Sequence, residues 1–282
     1  MQPGGKLGVL GCGAMAEALV GGWLAQGLFE AAQVLGSDPV PERREAFVRL
    51  GARVTEENGT VASHADLLLV AVKPQHLAAA LRSAQPGLRP DALVLSIAAG
   101  VTTQQLEEIV GAAQPVVRAM PSILHQVGQG TAGICGGVAA ATDQVEQVAG
   151  LFRAVGVALV VEERLMDAIT ALAGSGPAFM AAFIEALADG AVHAGLPRGT
   201  ARQLAAQVAA GTGAWLRASA ASPAELKDLV SSPGGTTIAG LRALETGGLR
   251  SAAMEAVIAA AERSRQLAGP SSERGGVPRP RG

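Results

Sequence analysis

Near its start the chain reads Leu7-Gly8-Val9-Leu10-Gly11-Cys12-Gly13-Ala14-Met15-Ala16, a short apolar run that turns through Gly-x-Gly-x-x-Ala into helical patterning. Strand, glycine turn and helix in that order limit the fold more than any other feature. They are what the first βα unit of a dinucleotide-binding sheet requires. Gly11 permits the tight turn, Gly13 lets the backbone approach a pyrophosphate, and Ala16 is small enough for helix and strand to pack closely. The helix start at Ala14 and Met15 offers N–H groups and a positive dipole end to phosphates. A plain glycine-rich turn is the rival reading.

At 282 residues there is chain enough for two domains, each with its own core. Hydrophobic residues at 49% and charged residues at 16% describe a well-buried globular protein. A net charge of -2 and aromatics at 2% give neither the field nor the stacking platforms that nucleic acid needs. Cys12 and Cys135 are far apart, match no metal spacing and read as reduced structural thiols. No metal is expected. The first strand begins too early to leave room for a signal peptide. Residues 168–184 carry no charge and approach a membrane span in length, but Gly174-Ser175-Gly176-Pro177 is expected to break them, which favours a buried helix pair or a subunit interface. The expected location is the cytoplasm.

Strands are expected at 6–10, 33–37, 53–55, 67–72, 93–97, 116–118, 131–134 and 157–161. Helices are expected between them at 14–25, 42–50, 75–83, 103–110 and 143–155. The alternation specifies a doubly wound, largely parallel α/β sheet, and the unbroken apolar run Leu67-Leu68-Leu69-Val70-Ala71-Val72 suits a central strand. Beyond Arg164 only helical spacing remains, at 178–194, 198–218 and 249–267, with many small residues and with Pro177, Pro197 and Pro223 near helix starts. The expected domains are therefore a dinucleotide-binding domain at 1–163 and an all-helical domain at 164–268. The tail at 269–282 has no apolar periodicity and reads as disordered.

Two further motifs carry chemistry. Ala71-Val72-Lys73-Pro74 closes the fourth strand at the end of the sheet where ligands bind. It is either a solvated proline turn or a loop against the ribose and nicotinamide of a cofactor. In the helical half, Ser231-Ser232-Pro233-Gly234-Gly235-Thr236-Thr237 joins two helices. Six of these seven residues are hydroxyl or glycine, more than a helix cap needs, so the turn can aim N–H and hydroxyl groups at one small anion. An ordinary capped connection is the alternative.

With these motifs on the page, the chain resembles the pyrroline-5-carboxylate reductase family from the glycine motif to about Leu267. The likeness also rests on Ser96-Ile97-Ala98-Ala99-Gly100-Val101, Arg118-Ala119-Met120-Pro121 and Gly174-Ser175-Gly176-Pro177. The resemblance implies a Rossmann-like domain followed by a helical dimerisation domain, and hydride transfer from NAD(P)H to C5 of 1-pyrroline-5-carboxylate, giving L-proline. It implies that Ser232, Gly235 and Thr236 hold the substrate carboxylate, that Thr237 orients the ring nitrogen as the catalytic group, and that Asp228 lines the substrate side. Gly11, Gly13, Ala14, Met15, Ser37, Asp38, Asn58, Val72, Lys73, Pro74 and Ala98 would contact the cofactor. It further implies a homodimer with interlocked helical domains and, in the family, rings of five dimers.

Three points qualify the resemblance. The family often reads Met-Pro-Asn-Thr-Pro where this chain has Met120-Pro121-Ser122-Ile123-Leu124, which alters the loop beside the nicotinamide. His125 reads as structural rather than as an acid. On the cofactor, family habit favours NADPH while Asp38, at the end of the second strand, pulls toward NADH; Ser37, Arg43 or Arg44 are candidates for a 2′-phosphate. Two other functions compete. A 3-hydroxy-acid dehydrogenase of the same plan would rely on a helical-domain lysine, and Lys227 alone is present there. A non-catalytic nucleotide-binding regulator would have a degraded substrate segment, and Ser231–Thr237 is intact.

Overall fold

A run that is apolar at every position needs cover on both faces, and Leu67–Val70 has it: all four side chains are fully buried in the middle of the sheet. The structure, a computed structural model, describes residues 5–267, so the tail expected to be disordered lies outside the described residues. The strands are β1 (Leu7–Leu10), β2 (Val34–Ser37), β3 (Arg53–Thr55), β4 (Leu67–Val70), β5 (Leu93–Ser96), β6 (Val116–Pro121), β7 (Gly130–Gly136) and β8 (Gly156–Val160). They form one sheet in the order β3-β2-β1-β4-β5-β6-β7-β8, antiparallel between β6 and β7 and parallel elsewhere. Chain order reverses between β1 and β4, which opens a crevice beyond the carboxyl end of β1.

Alternate side chains feed two cores. Leu7, Val9, Leu67, Leu69, Leu93 and Leu95 join one, under α1 (Ala14–Ala25) and α6 (Thr142–Arg153). Its centre is aromatic: Trp23 lies edge-on to Phe152 at 5.7 Å and donates from Nε1 to the Leu151 carbonyl at 3.0 Å. Leu10, Leu68, Val70 and Val94 join the other, under α3 (Asn58–His64), α4 (Pro74–Ala84) and α5 (Thr103–Val110). On the first side of the sheet order, α2 (Pro41–Arg49) buries Phe47. Helix α3 has no counterpart in the sequence reading. Gly59, Thr60, Val61 and Ser63 are weak helix formers, and the helix exists because Val61 and Ala65 close on the bare backbone of Gly8.

The described chain divides into two compact units, one made of the residues up to Ser175 together with Ala260 to Leu267, the other being Gly176–Ala259. The packing boundary thus falls later than the change of texture at 163. Helix α7 (Met166–Ile169) still buries Met166 in the first unit, where its sulfur lies 3.3 Å from the position of a Cβ on Gly133. The last helix, α12 (Leu249–Leu267), returns to that unit, with Ser264 Oγ donating to buried Asp167 at 2.8 Å.

The expected break at Gly174-Ser175-Gly176-Pro177 does not occur. A helical run of 31 residues, Glu163–His193, passes through it by widening into a π-helical stretch over Thr170–Ser175, just ahead of α8 (Gly176–His193). Proline lacks an N–H and its ring crowds the carbonyl four residues back; the wider π turn relieves both. Among the described residues this run is long and apolar enough to cross a membrane by length and composition. The second unit continues with α9 (Arg198–Ser219), α10 (Pro223–Leu229) and α11 (Thr236–Thr246).

Candidate active site

At the crevice, Gly11 takes φ +91°, and its N–H donates to the Ser37 carbonyl at 2.8 Å. A Cβ there would sit 2.9 Å from both the Ala71 oxygen and Val72 Cγ1, so glycine is required by conformation and by space. Gly13 caps α1 with an ordinary φ of -77° and no side-chain hydrogen bond, and a Cβ on it would meet nothing within 4 Å. The first turn of α1 is therefore open, with N–H groups that have no partner inside the helix. A cleft of about 970 Å³ lies before it, lined by Gly11, Gly13, Ala14 and Met15 on one side and by Ala71, Val72 and Lys73 on the other.

The end of β2 supplies Ser37 and Asp38, and α3 begins with Asn58; all three line the same cleft. Ser37 Oγ donates to Asn58 Oδ1 at 2.6 Å, and Asn58 Nδ2 donates to Ser83 Oγ at 2.8 Å. Asp38 is almost wholly buried: Oδ2 accepts the Cys12 N–H at 3.0 Å, and Oδ1 accepts the Val40 N–H at 2.9 Å. Arg43 lines the cleft 3.6 Å from Asp38 Oδ2. Arg44 is turned away, donating to the Asp38 carbonyl and pairing with Glu56, both at 2.6 Å. Burial, then the Asp38 charge, push the Cys12 thiol up to about 12; burial, then Glu163, do the same to Cys135. Both cysteines are free and inert at neutral pH.

Two of the expected cofactor residues do not line the cleft. Pro74 is the first residue of α4, and Ala98 is buried behind β5 with its N–H on Ser96 Oγ at 3.3 Å. In their place α4 contributes His76, Ala79, Ala80 and Ser83. Their spacing places them together on the flank of α4 beside Leu77, Leu81 and Ala84, which are buried.

The expected substrate residues all lie in the second unit. Ser222 caps α10 through a reciprocal bond with Glu225, and the helix ends at a turn where Gly234 takes φ +67° and the Gly235 N–H donates to the Ser232 carbonyl at 3.0 Å. Gly235 then opens α11 without a side-chain cap, and a Cβ on it would collide with Ser232 Oγ. Ser232 and the N–H groups of Thr236 and Thr237 thus stand together at an uncapped helix start, a donor set suited to one carboxylate. Asp228 and Lys227 are exposed neighbours 3.9 Å apart.

His125 is buried, its Nδ1 on the Ser122 carbonyl at 2.9 Å and its ring edge-on to Phe152 at 5.7 Å. Burial holds its pKa below 6.5, and it sits within the short helix Ile123–Val127. Among the described residues no group of three or more His, Cys, Asp or Glu is placed to hold a metal.

A glycine turn at the switch point of a doubly wound sheet, followed by an all-helical unit, defines a dinucleotide-dependent oxidoreductase. Family models match on both sides: "NADP oxidoreductase coenzyme F420-dependent" over residues 6–100 and "Pyrroline-5-carboxylate reductase dimerisation" over 163–267. The pyrroline-5-carboxylate reductase of Methanosarcina acetivorans is 41% identical over 93% of this chain and 97% of its own length. That of Synechocystis is 42% identical over 93% and 98%. Among solved structures, the Coxiella burnetii enzyme superposes with a TM-score of 0.87 at 31% identity over 93% of this chain and 98% of its own. The NADP-bound Plasmodium falciparum enzyme gives 0.85 at 30% over 94% and 98%. The chain belongs to the pyrroline-5-carboxylate reductase family.

Proposed function

We propose that this chain reduces 1-pyrroline-5-carboxylate to L-proline with NAD(P)H, the last step of proline biosynthesis, with NADPH as the expected reductant. The observation that carries the reading is that one chain holds both the glycine turn, within the segment matching the NADP oxidoreductase model, and the Ser-Pro-Gly-Gly-Thr-Thr turn, within the dimerisation model.

The residues present fit a dinucleotide: the space above Gly13 would be filled by any Cβ, and the first turn of α1 is uncapped before the cleft. Gly11, Gly13, Ala14 and Met15 would cradle the pyrophosphate. Ser37, Asp38 and Asn58 would form the adenosine end. Val72 and Lys73 would face the ribose and nicotinamide, while Pro74 and Ala98, expected as contacts, lie off the cleft, Ala98 in the core that Val72 packs against. When bound, the reduced nicotinamide supplies the hydride.

Ser232, Gly235 and Thr236 would hold the substrate carboxylate, and Asp228 would flank them. The ring nitrogen gains a proton readily near neutral pH, so no strong acid is required of the protein. Thr237 would accept the hydrogen bond of that protonated nitrogen and fix the orientation of the C5–N double bond. Hydride adds at C5, the π pair passes to nitrogen, and the proton already there remains, giving the secondary amine of proline. Catalysis is then chiefly orientation of the bound ring.

The second unit supports a dimer. Within it only Ala188, Ala201 and Ala205 are fully buried hydrophobic residues among those described, while Leu204, Val208 and Met254 are at least half exposed. Three buried alanines with only partly buried Ile184, Ala191 and Val192 packed against them bury too little surface for the helices to persist singly, so a second copy is the expected cover, with five-dimer rings beyond it. Two buried free thiols suit a cytoplasmic setting. The reading is tested by following reduced-nicotinamide absorbance on adding pyrroline-5-carboxylate, with NADPH and NADH in parallel and proline assayed as product. Bound nucleotide without turnover would overturn it, and a monomeric mass in solution would overturn the dimer.

A further inference from the structure

We propose that Arg43 reads the 2′-phosphate of the dinucleotide, and that Asp38 is an internal brace that sets Arg43 at the cleft rather than a ligand of the ribose hydroxyls. The inference rests on the cofactor reading above and assigns its specificity.

An acidic residue at the end of the second strand usually accepts both ribose hydroxyls and repels a 2′-phosphate. To do so it must present its oxygens to the ligand. Asp38 does the opposite: its side chain is 3% exposed, and each oxygen already takes a backbone N–H, from Cys12 in the glycine turn and from Val40 in the loop that leads to α2. The carboxylate ties these two segments together, and its charge is offset by Arg43 at 3.6 Å. A carboxylate so braced and compensated has less acceptor capacity left for a ribose diol and opposes a phosphate beside it less strongly.

Of the two arginines on α2, the geometry selects one. Arg44 is 17% exposed and committed to the Asp38 carbonyl and to Glu56. Arg43 is 50% exposed, lines the cleft, and approaches Asp38 through one terminal nitrogen, which leaves the rest of its fork of donors toward the cleft. Planar guanidinium donors match phosphate oxygens in pairs. Ser37 complements it: its hydroxyl proton is spent on Asn58 Oδ1, so its oxygen remains an acceptor suited to a ribose hydroxyl rather than a donor for phosphate. Charge at this end of the cleft comes from Arg43, and hydroxyl recognition from Ser37.

The test measures binding of adenosine 2′,5′-bisphosphate and adenosine 5′-monophosphate to the full chain by titration calorimetry, which reads the subsite without substrate or turnover. Wild type is expected to favour the bisphosphate by about 10–100-fold, the range for hydrogen bonds to a charged group. Arg43→Gln brings the ratio close to one, Arg43→Lys retains part of it, and Arg44→Gln leaves it intact. A ratio that survives Arg43→Gln, or one that Arg44→Gln abolishes, overturns the assignment. A wild type that binds both equally also overturns it while leaving the nucleotide site standing; binding of neither overturns the assignment and the cofactor reading together.

Discussion

Gly11 and Gly13 are two residues apart in one turn, yet alanine at each should fail in opposite ways. At Gly11 the backbone sits at φ +91°, where an L side chain costs about 1–3 kcal/mol. The new Cβ would also press on the Ala71 carbonyl oxygen and Val72 Cγ1, each 2.9 Å away. The oxygen belongs to the backbone after β4 and cannot swing aside, so overpacking adds about 1–3 kcal/mol. Gly11→Ala is therefore expected to cost about 2–6 kcal/mol, or about 4–24 °C in melting temperature for a unit of this size. At Gly13, φ is -77° and the Cβ meets nothing within 4 Å. The gain of about 0.4–1 kcal/mol from a stiffer unfolded chain is offset by alanine's poorer fit at a helix N-cap, so stability stays near wild type. The methyl group stands where a pyrophosphate would approach and removes one charge-assisted hydrogen bond, weakening nucleotide binding by about 10–150-fold. Thermal melting without ligand, paired with NADP⁺ titration, separates the two. If Gly13→Ala binds NADP⁺ as tightly as wild type, or melts as early as Gly11→Ala, the account of the turn is wrong.

Thr237→Ala should lower kcat by about 10–1000-fold, as loss of a positioned hydrogen-bonding group does, with NADPH affinity unchanged; stopped-flow or steady-state kinetics would read this, and unaltered kcat removes Thr237 from the mechanism. Trp23→Ala should cost about 3–5 kcal/mol in urea unfolding, because the indole fills the space beside Phe152 and its Nε1 bond to Leu151 goes with it. Stability should fall as pH drops below 6.5. Burial holds the His125 pKa below that ordinary value, so the unfolded chain binds the extra proton first and the loss completes as pH passes the folded value. Melting curves of His125→Leu should show a shallower slope over that window, and an unchanged slope would clear His125.

The sheet was legible because its signals are local. Strand-length apolar runs, glycine turns and the helical spacing of α1 and α5 each declare themselves within a dozen residues, and α1 and α5 fall at the expected bounds. Helix α3 was not legible, since its residues favour no helix and its reason to form is Gly8, on a strand some fifty residues earlier. The helical passage through Gly174-Ser175-Gly176-Pro177 was misread for a related reason. Glycine and proline there would end an α-helix, but a π turn is a third option that sequence period does not announce.

The nucleotide cleft and the Ser232–Thr237 turn differ in the same way. Chemistry in Ser232–Thr237 is carried by a turn and a helix start contiguous in sequence, so its donors could be named directly and the structure finds them together at an uncapped α11. The role of Asp38 depends on where its carboxylate turns, and that is decided by the Cys12 N–H, 26 residues away, together with Val40. A position-based rule assigns an acid there to the ribose without regard to competing donors, and this one has two. Buried carboxylates go to the donors that satisfy them, since an unpaired charge out of water costs far more than a ribose contact returns. With Asp38 so held, the same brace that removes it from the ligand positions the neighbouring guanidinium, and the acidic residue in the sequence that argues for NADH supports, through its geometry, the choice of NADPH.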